Sequence, residues 1–61
     1  MLSKRYHAVL TNGTKSRCVF YWSTGRKGTK ANEADLRQMY QKLYGEPLAA
    51  GARIIRITAM N

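Results

Sequence analysis

Two runs of aromatic and β-branched residues, Tyr6-His-Ala-Val-Leu-Thr11 and Ser16-Arg-Cys-Val-Phe-Tyr-Trp22, flank Asn12-Gly13 within the first 22 residues of the chain. Asn-Gly suits the positive-φ positions of a type I′ turn, so this segment reads as a β-hairpin, and the rest of the chain must pack on it. With Asn12 and Gly13 as the two-residue loop, Thr11 is opposite Thr14, Val9 opposite Ser16, His7 opposite Cys18 and Arg5 opposite Phe20. Alternation then divides the hairpin into two faces. One gathers His7, Val9, Cys18, Phe20 and Trp22; the other mixes Tyr6, Leu10, Val19 and Tyr21 with Lys4, Lys15 and Arg17. Both carry apolar residues, and the first, with the larger apolar rings, is assigned to the core.

Ser23 to Ala31 holds two glycines, three cations and no large apolar side chain, which reads as an exposed, moving loop. Asn32 is the expected helix N-cap, with the helix starting near Glu33 and Glu33 and Asp35 complementing its dipole. Leu36, Met39, Tyr40, Leu43 and Tyr44 form one apolar stripe; Gly45 and Pro47 end the helix. Glu33 and Arg37 are spaced for a surface pair. After a linker, Ala52 to Thr58 is a last strand, with Ile55 and Ile57 on one face and Ile54 and Arg56 on the other. The expectation is an α+β fold: a single ββαβ domain over residues 1–61, a three-stranded mixed sheet of order 2-1-3, and one amphipathic helix on one face.

At 61 residues the chain is short for a stable core, yet 44% apolar content places it outside the disordered basic tails. One cysteine precludes an intrachain disulfide, and one cysteine with one histidine cannot complete a structural zinc site. Neither a membrane span nor a secretory signal is legible, so a reducing, cytoplasmic setting is expected, without metal or cofactor. Beginning at Met1, the short basic chain has the compositional character of phage and plasmid accessory proteins.

Charge supplies the functional clue. Lys4, Arg5, Lys15, Arg17, Arg26, Lys27 and Lys30 precede every acid in the chain; the only acidic side chains are Glu33, Asp35 and Glu46, and the net charge is +8. Such a field attracts polyanions. With the helix on one sheet face, the other would present Tyr6, Tyr21, Ile54, Lys4, Lys15, Arg17 and Arg56, rings for stacking and cations for phosphates. The loop Gly25-Arg-Lys-Gly-Thr-Lys30 adds backbone N–H groups and charge, without the spacing of a Walker loop. The expected function is non-enzymatic DNA or RNA binding through Lys15, Arg17, Tyr21, Arg26, Lys27, Lys30 and Arg56. The alternatives are docking on an acidic protein and a homodimer through the open sheet face. Catalysis finds little support: His7 and Cys18, placed opposite each other, have no carboxylate to orient the imidazole, and Glu33 and Asp35 lie about 200° apart around a helix.

Overall fold

A computed structural model describes residues 2–60. The elements are β1 (Lys4–Asn12), β2 (Lys15–Ser23), α1 (Lys30–Tyr44) and β3 (Arg53–Met60), in the expected ββαβ order. The sheet order is β2-β1-β3. As the helical crossover requires, β2 and β3 run the same way, but they are not neighbours. Each pairs only with β1, so both ladders are antiparallel and the sheet is antiparallel rather than mixed. Among the described residues, no helix is long and apolar enough to cross a membrane.

The hairpin closes on Asn12 opposite Lys15, so its two-residue loop is Gly13-Thr14. Gly13 has φ +70° and, among the described residues, no non-glycine residue has positive φ, the signs of a type II′ turn with glycine in first place. The register therefore differs by two residues from the one expected: His7 lies opposite Phe20 and Val9 opposite Cys18. An even shift leaves every side chain on its face.

Which face turns inward is the main correction. The core consists of Tyr6, Ala8, Leu10, Val19 and Tyr21 from the hairpin with Leu36, Tyr40 and Leu48, whereas Phe20 and Trp22 are exposed. Ala8 sits between Val19 and Ile57 and provides a small residue beneath the covering layer. The tyrosine rings bring apolar area, and their hydroxyls find partners inside. Tyr6 and Tyr21 are cross-strand neighbours, stacked at 5.6 Å between centroids.

In β3 the register shifts between Val9 and Leu10: Val9 faces Arg56 while Leu10 faces Ile54. Ile55 is the extra residue and is 62% exposed; Ile54 and Ile57, three apart, both pack on the core. The bulge thus overturns the expected pairing of Ile55 with Ile57 on one face.

The helix begins a turn earlier than expected. Thr29 is the N-cap, its Oγ1 accepting from the Asn32 N–H at 3.3 Å. Asn32 is instead fully buried and shares the inward stripe with Leu36 and Tyr40 at i, i+4 and i+8. Leu43, expected on that stripe, is 55% exposed. Gly45, at φ 72°, ends the helix as expected and donates to the Gln41 carbonyl at 2.8 Å.

Candidate nucleic-acid interface

Strand pairing lays out the uncovered sheet face in rows running from β2 through β1 to β3. Trp22, Arg5 and Met60 form the first row; Phe20, His7 and Thr58 the second; Cys18, Val9 and Arg56 the third; Ser16, Thr11 and Arg53 the fourth. Aromatic rings thus occupy one corner, along β2, and two arginines the opposite corner, along β3. Arg5 stands beside the rings, in the Trp22 row.

Phe20 is 44% and Trp22 59% exposed. Phe20 is held by its neighbours: its ring lies 4.5 Å from the His7 ring, and the Arg5 guanidinium carbon is 5.1 Å from its centroid. Trp22 borders one shallow depression with Ser3, Lys4, Arg5 and Met60, and another with Asp35, Gln38, Met39, Gln41 and Lys42 on the helix flank.

No acidic residue falls in these rows, and all three acidic side chains are engaged by partners, Asp35 being the one that borders Trp22 at the helix flank. Glu33 pairs with Arg37 at 3.0 Å, Asp35 accepts from the Ser23 hydroxyl at 2.6 Å, and Glu46 pairs with Arg17 at 3.6 Å. Among the described residues, Arg5, Arg53 and Arg56 have no carboxylate partner.

The basic loop leaves β2 at the Trp22 end of the sheet, and its base is fixed. The Gly25 carbonyl accepts from the Tyr6 hydroxyl at 3.1 Å and from Asn32 Nδ2 at 3.0 Å. The Gly25 N–H donates to Ser23 Oγ at 3.1 Å. Beyond it, Arg26 to Thr29 form a turn in which the Thr29 N–H and hydroxyl both donate to the Arg26 carbonyl. Arg26, Lys27 and Lys30 are exposed on this structured loop and the first helical position.

The residues expected to form the site therefore separate. Arg56 lies on the open face; Arg26, Lys27 and Lys30 are exposed on the loop and helix start, whose base is bonded to Tyr6 and Asn32 on the helix side at the Trp22 end of the sheet. Lys15 is exposed at the hairpin tip, on the helix side. Arg17 is drawn over the Tyr44 ring, 4.3 Å from its centroid, and paired with Glu46, so it serves packing. Tyr21 is buried and donates to Asn32 Oδ1 at 2.5 Å, which removes it from any stacking role. Burial pushes its phenol up to about 12, with the neighbouring Tyr6 adding to the shift. Trp22, expected beneath the helix, is on the open face, and His7 is not paired with Cys18.

Sequence reasoning missed Arg5, Arg53, Phe20 and Trp22 as surface groups. Alternation did place Arg5 beside Phe20 and Trp22; the grouping was legible and its side was not. No signal in the sequence reveals the bulge that puts Arg53 and Arg56, three apart, on the same face. No family model, curated protein or solved structure matches this chain significantly.

Proposed function

We propose that this chain is a non-enzymatic nucleic-acid-binding protein that contacts its ligand through the open sheet face, with Arg26 and Lys27 extending that surface. One observation carries the reading: the sole Phe and sole Trp are exposed on a sheet face without acids, while all four tyrosines lie on the helix side. Hydrophobicity alone favours the reverse sorting, and an exposed pair of large rings among unpaired arginines is the informative departure from it. Arginines supply phosphate contacts and rings supply stacking.

The test is fluorescence anisotropy of labelled oligonucleotides at several salt concentrations. Contacts from Arg5, Arg53, Arg56 and the loop amount to roughly three to five phosphates, so log K should fall with log salt at a slope of about −2 to −4. The double substitution Arg53→Ala/Arg56→Ala should flatten that slope by about 1.4–1.8, and Arg37→Ala, on the helix and paired with Glu33, should leave it unchanged. Absence of binding at low salt would sink the reading and shift weight to an acidic protein partner.

A further inference from the structure

The geometry of the aromatic corner points to a single strand, DNA or RNA, as the ligand, with Trp22 and Phe20 as its stacking residues; this rests on the nucleic-acid reading proposed for the open face. The two residues stand on the same face of β2, two positions apart, so their attachment points are separated by about 6.7 Å. Stacked bases in a duplex follow one another at about 3.4 Å and present no free ring faces. Bases seated on both side chains must be unstacked and spread to about twice that rise, which an extended single strand permits and an intact duplex does not.

The remaining face complements such a strand. Arg56 and Arg53 lie two strands across and one to three rows along from the rings, roughly 12 to 22 Å between attachment points, where their long side chains can meet phosphates of a strand that crosses the face diagonally. Arg5, next to Trp22 in the end row and near Phe20, offers a guanidinium to phosphate or to a base plane. The His7 and Arg5 contacts restrain the Phe20 ring before any ligand arrives, lowering the ordering cost of binding. A second copy of the chain is a poor occupant of this face, because a two-fold contact would bring two sets of Arg5, Arg53 and Arg56 together without an acidic side chain on either side.

Trp22 is the chain's only tryptophan, so its fluorescence reports directly on the proposed contact. The experiment titrates the protein with unlabelled oligo(dT) and oligo(U) of equal length, and with a mixed-sequence oligonucleotide alone and annealed to its complement, at one low salt concentration. Quenching of Trp22 by the single strands is expected, with at least tenfold weaker binding of the duplex; the oligo(dT) and oligo(U) arms separate DNA from RNA. By anisotropy, Phe20→Ala and Trp22→Ala should each weaken single-strand binding by roughly 5- to 150-fold without changing its salt slope, and Trp22→Phe should restore most of the loss. Both side chains are exposed, and circular dichroism verifies that the variants fold. Duplex binding as tight as single-strand binding, with Trp22 unquenched, would overturn the single-strand inference and leave nucleic-acid binding standing. Absence of binding to any of the oligonucleotides would remove both.

Discussion

Asn32→Ala should be the most damaging single substitution of a polar side chain in this domain. Asn32 is fully buried on α1, accepts from the Tyr21 phenol at 2.5 Å and donates to the Gly25 carbonyl at 3.0 Å. Truncation strands a buried phenol, at about 1–3 kcal/mol, and removes a second bond worth about 0.5–1.5 kcal/mol, for a total of roughly 2–4 kcal/mol. The Gly25 carbonyl keeps the Tyr6 hydroxyl, so it is not itself left bare. A core of this size rarely supplies more than about 3–5 kcal/mol, so the variant should sit near its unfolding midpoint at room temperature. Urea melts followed by circular dichroism are best run near 15 °C, about where stability is maximal for most domains. Tyr21→Phe should cost about 1–2 kcal/mol by stranding Asn32 Oδ1. When Tyr21→Phe is already in place, adding Asn32→Ala should cost only about 1 kcal/mol, because there is no phenol left to strand. The cycle therefore predicts a coupling of roughly 1–3 kcal/mol. Additivity within about 0.5 kcal/mol would refute the idea that this hydrogen bond holds helix to hairpin.

Gly25→Ala should destabilise by about 1–3 kcal/mol through overpacking, since a Cβ there would meet the Asn32 backbone nitrogen and Thr29 Oγ1 at 2.9 Å and the Ala31 Cβ at 3.0 Å. Gly51→Ala, with open space around it and no positive φ, should be neutral or slightly stabilising; thermal melts of the two variants measure the difference. The alkaline response of stability should carry the Tyr21 signature. Its folded pKa of about 12 stands above the ordinary tyrosine value of 10.0, so the contribution is intact below pH 10 and is lost as pH rises toward 12. Chemical denaturation from about pH 9 to 12 should show a steeper loss for the parent than for Tyr21→Phe, and parallel curves would contradict the assignment.

The element order, the strand order and the Gly45 terminus were legible because local chemistry decides them: β-branched runs, a helical stripe and a left-handed glycine followed by proline. The inward face of the hairpin was not, because single-residue hydrophobicity ranks Phe20 and Trp22 above Tyr6 and Tyr21. Only tertiary partners, the Gly25 carbonyl and Asn32, make those tyrosines good core residues. The same partner explains the misplaced helix start. Asn32 and Thr29 both suit an N-cap, but the side chain of Asn32 is taken by Tyr21 and Gly25, which leaves the cap to Thr29. Of the candidate contacts, the exposure of the loop cations was readable from charge, whereas alternation grouped Arg56 with Ile54, Tyr6 and Tyr21, and the bulge places it on the opposite face from all three. Arg17 was not readable either, since nothing local announces that Tyr44 and Glu46 will claim it.

The sorting of aromatics links the two sides of the sheet. Tyr6 and Asn32 converge on one carbonyl, that of Gly25, from which the basic loop departs. Ser23, the residue after Trp22, ties the same corner to the helix through Asp35. A phenylalanine in place of Tyr6 would bury as much apolar area but leave the loop base with one donor fewer, whereas a tyrosine in place of Phe20 would add a hydroxyl that the open face does not require for packing. The hydroxyls of Tyr6 and Tyr21 are thus used at the loop base, directly or through Asn32, and the rings without such an anchoring role, Phe20 and Trp22, are left outward. On this arrangement the buried hydrogen-bond cluster fixes where the base of the basic loop stands relative to the exposed Trp22.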